Sequence, residues 1–317
     1  MKGIWLALAI TSCSASASFA QSTPWQMPPE SDRCPSKWGA GDMRGSGNWM
    51  KPETVLRAAK AIKTGETFEL GAILAPDPKE TFINENRVFN IYTKPAIPQP
   101  NARVANEEVV VTELGQIGTQ FDSFVHQMWG DKFYNCFKFD DLKGRYGFSK
   151  MGVETVGTLM SRGVMIDVAA LKGVDMLEGG YVITDEDLKQ ALAKQNMTLQ
   201  PGDAVIIHTG WGKLMGKDNV RYGRSVPGIG RAAGQWLVSQ DPMLVGADNC
   251  CVESRPSEQG TSLPVHAMML IQHGIYLIEN MVLEKAAAAK AYEFAFIVQP
   301  LKIRGATGST VAPTAIR

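Results

Sequence analysis

Residues 113–134 read E-L-G-Q-I-G-T-Q-F-D-S-F-V-H-Q-M-W-G-D-K-F-Y. Gln116, Gln120, Asp122 and His126 stand within eleven residues, around a Gly118-Thr119 turn, in company otherwise built of Phe, Val, Met and Trp. His126 is one of only four histidines in 317 residues. Polar groups buried without partners are costly, so the fold must supply partners for this set. The candidates are the protein itself, a metal ion and a substrate.

The chain on either side alternates. Pro52 suits a first helical turn, and Val55, Leu56, Ala59 and Ile62 form a helical stripe that Gly65 ends. Thr67–Leu70 reads as a strand, and 75–106 as a long Pro/Asn-rich excursion facing a substrate or another subunit. The β-branched run 108–112 delivers the quoted stretch. Beyond it, strands are predicted over 164–168, 204–208, 243–246, 275–278 and 292–298. Helices are predicted from the Thr184/Asp187 capping box through Lys194, over 229–239 and 263–272, and from an Asn280 cap into Glu284–Ala291. This alternation predicts an α/β protein, and no linker divides residues 21–317, so one domain follows. Residues 21–50, rich in Pro, Gly, Ser and Trp, form an irregular arm on it.

The charge balance of 32 basic and 32 acidic residues, with no long run of either sign, gives no support for a nucleic-acid or anionic-membrane partner. Residues 1–20 have a minimal positive start, an apolar run and Ser18-Phe19-Ala20, the pattern of a secretory signal peptide cut after about Ala20. No later segment is long and apolar enough to span a membrane. The expected location is therefore secreted or periplasmic. Four cysteines then remain, Cys34, Cys136, Cys250 and Cys251. They admit three pairings, with Cys250-Cys251 bonding each other only under strain, and they also fit buried thiols.

Three residue types suit a divalent ion: Asp122, His266 on a predicted helix, and Glu279 thirteen residues later at a strand end. Other chemistries fail on spacing. Gly228-Ile229-Gly230 is followed by Arg231-Ala232-Ala233, not by the dinucleotide-binding glycine pattern, and no G-x-S-x-G elbow occurs. Metal-assisted or histidine-assisted hydrolysis is the enzyme class left.

The residues resemble the cyclase family of metal-dependent hydrolases, which includes bacterial kynurenine formamidase and isatin hydrolase. The family's H-x-G-T-H-x-D-x-P-x-H stands here as Gln116-Ile117-Gly118-Thr119-Gln120-Phe121-Asp122-Ser123-Phe124-Val125-His126. Thr209-Gly210-Trp211, Pro227-Gly228-Ile229, Gly246-Ala247-Asp248, His266 with Glu279-Asn280, and Gly305-Ala306-Thr307-Gly308-Ser309 follow in the family's order. The resemblance implies a swivelling β/β/α fold with a mixed sheet flanked by helices, assembling as a homodimer or homotetramer. It implies Asp122, His266 and Glu279 as metal ligands and His126 as the proton-transfer residue beside Asp122. Gln116 and Gln120 replace the two signature histidines, and Phe124 the signature proline.

An amide oxygen is a much weaker zinc ligand than imidazole, so one divalent ion is expected instead of two. Mn²⁺ or Zn²⁺ is the expected identity, with Mg²⁺ also compatible with so oxygen-rich a shell. Phe124, Trp129, Tyr134, His208 and Trp211 are the expected walls for a small aryl or cyclic substrate, each of them also suited to ordinary core. The expected activity is hydrolysis of an amide, imide or lactone bond. The alternative is a ligand-binding protein on the same scaffold, its catalysis ended by the lost histidines.

Overall fold

The computed structural model describes residues 25–77, 79, 87–257 and 262–317. The expected leader over residues 1–20 lies outside the described residues, as does the start of the arm.

Nine strands form one mixed sheet in the order Thr67–Glu69, Thr314–Ile316, Glu293–Val298, Leu159–Asp167, Ala204–His208, Leu244–Ala247, Tyr276–Glu279, Gln120–Asp122, Gly308–Thr310. The four strands from Leu159–Asp167 to Tyr276–Glu279 run parallel, and antiparallel strands extend the sheet on both sides. Parallel strands need crossovers, and helices Asp185–Gln195, Arg231–Ser239 and Pro264–His266 (continuing as π-helix Ala267–His273) lie in the connections. Val205, Ile206, Ile207, Leu244 and Val245 are all fully buried, as expected where helices cover a parallel sheet. This is the α/β single-domain arrangement, a mixed sheet flanked by helices, that the sequence predicts.

Local chemistry explains several boundaries. Thr184 accepts from the Asp187 amide while the Asp187 carboxylate accepts from the Thr184 amide, closing the capping box that starts the 185–195 helix. The 164–168 expectation is corrected at both ends. The strand begins at Leu159, and Val168 already opens a short helix, because Asp167 caps it by accepting from the Ala170 amide. Asn280 is not a helix cap: with φ of 56° it donates Nδ2 to the Gly118 carbonyl at 2.8 Å, and Leu283 takes the cap position of Glu284–Ala288.

The 75–106 excursion also contains structure. Phe89–Thr93 pairs antiparallel with Glu108–Thr112 in a hairpin separate from the main sheet. The arm is anchored where Cys34 and Cys136 form a disulfide, and where Ser46 donates its amide to the Gly274 carbonyl and its hydroxyl to that of Met243. Cys250 and Cys251 are free thiols. Among the described residues, no helix is long and apolar enough to cross a membrane.

One buried ion pair ties three sheet-side segments together. Arg162 donates to both carboxylate oxygens of Asp203, at 3.2 and 2.7 Å, and also to Glu293 at 3.0 Å. Asp203 is wholly buried, and burial raises its pKa despite the guanidinium. Arg162→Met leaves that carboxylate with the Gln200 amide at 2.8 Å and Arg57 at 3.4 Å, without its bidentate cation. The expected loss is about 3 kcal/mol in urea unfolding, recovered in part by Arg162→Met/Asp203→Asn.

Candidate functional site

The site begins at a turn. Gly118 sits at φ of 56°, a left-handed conformation that favours glycine, and a Cβ there would also force the Leu74 side chain, 2.3 Å away at Cδ2, to shift. The turn feeds the three-residue strand Gln120–Asp122, whose first and last side chains share a face. Register with Tyr276–Glu279 sets Gln120 directly opposite Glu279, and Gln120 Nε2 donates to Glu279 Oε2 at 2.8 Å. Phe121, pointing the other way, packs 4.9 Å from the Tyr276 ring in the core.

His266 arrives from the start of the helix that follows strand Leu244–Ala247. Its Nε2 is 2.9 Å from Glu279 Oε1, and its Nδ1 is 2.6 Å from Glu253 Oε1. Glu253 also accepts from the amides of Val265 and His266, at 3.2 and 2.9 Å, satisfying donors that a helix start leaves open. One carboxylate thus fixes both the helix entry and the imidazole. Asp122, His266 and Glu279 each offer one ligand atom, all within 4.8 Å of one another, and all three residues are buried.

The electrostatics follow from three carboxylates around one imidazole. Burial pushes Glu279 up to about 7, and the charges of Asp122 and Glu253 add to the shift while His266 opposes it. Burial works against a charged His266, but the hydrogen bonds to Glu253 and Glu279 outweigh it and raise its pKa. Asp122 Oδ1 accepts from Gln116 Nε2 at 3.1 Å, whereas its Oδ2 is buried with no hydrogen-bond partner. Gln116 Nε2 also lies 3.3 Å from His126 Nδ1, and its Oε1 accepts from Gln120 at 3.3 Å. Both glutamines therefore turn amide nitrogens toward the carboxylates.

A cavity of about 1110 Å³ opens over this set, lined by Gln116, Gln120, His126, His266 and Glu279 together with Cys250, Cys251 and Arg255. His126 is half-buried in the wall, with Nε2 4.0 Å from Asp122 Oδ1. The structure thus brings His126, Asp122, His266, Glu279, Gln116 and Gln120 together.

The five expected substrate walls are placed elsewhere. Phe124 stacks on Tyr276 at 4.3 Å, and Tyr134 packs on Phe124 and donates its hydroxyl to Asp42, both in the core. Trp129 meets Trp25 edge-on at 5.6 Å. Trp211 is buried in a small cluster with Tyr222 and Val226, its Nε1 donating to the Tyr222 carbonyl. His208 is buried with Nδ1 2.8 Å from Asp167. His273 is also away from the cavity wall, where burial pushes its pKa down to about 4. Sequence reasoning missed Glu253 and the cavity residues Arg255, Arg224 and Arg87. Nothing local marks Glu253, since its partner lies thirteen residues away across a loop.

Comparison with known proteins follows the same outline. The Cyclase family model matches residues 48–254. A solved structure described as a novel cyclase is 33% identical, with 89% of this chain and 98% of its own aligned at a TM-score of 0.80. Isatin hydrolase A from Ralstonia solanacearum is similar at 18% identity over 80% of this chain and 92% of its own, with a TM-score of 0.57. An isatin hydrolase bound to the product analogue thioisatinate is also 18% identical, over 84% and 98%, with a TM-score of 0.54. These last two share the fold. No functionally curated protein matches the chain. With the family match spanning most of the chain and the 33% identical cyclase aligned almost end to end, this protein belongs to the cyclase family.

Proposed function

We propose that this protein is an exported, metal-dependent hydrolase of an amide, imide or lactone bond in a small cyclic or aryl substrate. The observation that carries the proposal is the convergence of Asp122, His266 and Glu279 at the cavity, with His126 in its wall. The residues fit a divalent cation on two counts. Asp122 Oδ2 is a buried carboxylate oxygen with no hydrogen-bond partner, and the buried set carries more carboxylates than bases. Two carboxylates and one imidazole suit Mn²⁺ or Zn²⁺, with Mg²⁺ admitted by the oxygen content. Glu253 supports this role because a ligating imidazole needs its second nitrogen held.

One ion is expected, since Gln116 and Gln120 offer amides where the family has imidazoles, and here both donate to carboxylates. When bound, the ion supplies Lewis-acid polarisation of a carbonyl. The chain's own residues do the rest. His126 stands in the cavity wall, with the Gln116 amide beside its ring, to take a proton from the attacking water and return it to the leaving atom. Arg87, Arg224 and Arg255 line the cavity, a positive rim suited to the carboxylate that such hydrolysis creates. The Cys34–Cys136 disulfide supports export into an oxidising compartment through the leader of residues 1–20.

The test is a metal titration of stripped protein, followed by a panel of formanilides, cyclic imides and lactones with Mn²⁺ or Zn²⁺. The expected result is one ion per chain and turnover of at least one panel member. Asp122→Asn and Glu279→Gln lose the ion; His126→Ala keeps it and loses turnover by about 10²- to 10⁴-fold. Two tightly held zinc ions per chain would sink the single-ion proposal, and an ion without any turnover favours a binding protein. Glu253→Gln is expected to weaken ion affinity by about 10- to 100-fold, measured by competition with a chelator; unchanged affinity removes Glu253 from the metal centre.

The same proposal includes a homodimer or homotetramer, with the hairpin of Phe89–Thr93 and Glu108–Thr112 in the interface. Ile91, Tyr92, Val109, Val110 and Val111 are all exposed, so both faces of this two-stranded hairpin are apolar and uncovered. Such a hairpin is marginal alone, and a second copy related by a two-fold axis would cover it. Its base supplies Arg87, Val88, Phe89 and Asn90 to the cavity, which connects assembly to the site. Tyr92→Asp/Val110→Asp is expected to convert an oligomer to monomer in sedimentation equilibrium. A wild-type protein that is monomeric at micromolar concentration overturns this part.

A further inference from the structure

Cys250 and Cys251 take no part in the chemistry proposed above, yet both line the cavity. Their sulfurs lie 2.8 Å apart, and Arg255 Nη1 approaches Cys251 Sγ at 3.6 Å. Cys250 is half-buried and Cys251 is buried. The loop that carries them is fixed on one side by Asn249, which accepts from the Cys251 amide at 3.1 Å and donates to the Pro227 carbonyl at 2.6 Å. On the other side the Glu253 amide donates to the Cys251 carbonyl, closing a γ-turn on Val252. Val252 holds φ of 56°, a conformation that a β-branched residue rarely adopts. Strain of this kind collects at functional positions. The next residue is Glu253, whose carboxylate holds His266 and the amides of Val265 and His266.

We infer that Cys250 and Cys251 are a redox-active dithiol in the cavity wall, closed to a Cys250–Cys251 disulfide by a small aliphatic disulfide that enters the cavity, and that closure loosens the Glu253 grip on the His266 helix start. The Cys250 thiolate attacks one sulfur of the incoming disulfide. Its S–S bond breaks, and the departing thiolate takes up a proton. The Cys251 sulfur, having given its proton to solvent, then attacks Cys250 Sγ and expels the second thiolate, which is protonated in turn. The protein loses two hydrogens, and the incoming disulfide becomes two thiols. The order of attack follows from the surroundings: contact with Cys250 and burial both hold Cys251 in its protonated form, and Arg255 steadies the thiolate when it forms.

Neighbouring Cα atoms are about 3.8 Å apart across a trans peptide, below the roughly 4.4–6.8 Å that disulfides prefer. The closed ring is therefore strained, easily reduced again, and pulls on the turn that it shares with Val252 and Glu253.

The experiment uses full-length reduced protein and oxidised glutathione as the probe, with peptide mass mapping and amide hydrogen exchange as readouts. The expected result is loss of two hydrogens from the peptide holding Cys250 and Cys251, with no glutathione retained and reversal by dithiothreitol. In Cys251→Ser the reaction should stop with glutathione on Cys250. On oxidation of the wild type, exchange at the Val265 and His266 amides should rise about tenfold, as expected for one weakened hydrogen bond. Thiols that stay unreacted while a free cysteine peptide is oxidised overturn the proposal, as does glutathione that remains on Cys250 in the wild type. Unchanged exchange at both amides overturns the link to Glu253. Neither readout depends on a bound metal or on turnover.

Discussion

The buried imidazole of His266, held between the carboxylates of Glu253 and Glu279, is the interaction on which the site's geometry depends. Burying several carboxylates in one place is unfavourable unless each finds donors or a cation. The chain meets that requirement with three different kinds of donor. Glu253 takes two amides at a helix start, Glu279 takes the imidazole and the Gln120 amide, and Asp122 takes Gln116. Only Asp122 Oδ2 is left without a partner among these oxygens. The unmet hydrogen-bonding capacity therefore falls on one oxygen, beside His266 and Glu279.

Sheet topology decides why the charges meet there. Glu279 ends the last of four parallel strands, the edge at which ligands gather in α/β proteins. The neighbouring strand Gln120–Asp122 runs antiparallel and is only three residues long. Its register is pinned by Phe121, which packs against Tyr276 on the opposite face. A slip of one residue would carry Gln120 and Asp122 into the core and Phe121 into the cavity. Core packing and site geometry are thus enforced by the same three residues.

That coupling explains what the sequence made legible. Strand Ala204–His208 and the Thr184/Asp187 capping box announce themselves through local apolar runs and capping chemistry. Asp122, His266 and Glu279 stand out as residue types able to hold an ion, and the family resemblance supplies the reason to join them. The strand at 120–122 is too short to show any period, and Phe89–Thr93 is hidden among prolines and asparagines that read as loop, although its partner 108–112 shows as a β-branched run. Aromatic residues misled for a different reason. Phe124 and Tyr134 sit close in sequence to the site residues, but the tight turn after Asp122 directs them into the core against Tyr276 and Asp42. Glu253 was illegible because its role is a contact across a loop, and no periodicity encodes that.

The two glutamines tie the carboxylates of the site into a wider network. An imidazole presents one donor and one acceptor on a rigid ring, whereas a primary amide carries two donor hydrogens and an acceptor oxygen. Gln116 uses all of these, reaching Asp122 and His126 through Nε2 and Gln120 through Oε1. Gln120 in turn reaches Glu279. The result is an unbroken chain of hydrogen bonds from Glu279, buried beside His266, through both amides to His126 in the cavity wall. Chains of this kind polarise along their length in a low-dielectric interior. Gln116 and Gln120 therefore join the Glu279 carboxylate to the His126 ring in one hydrogen-bonded network.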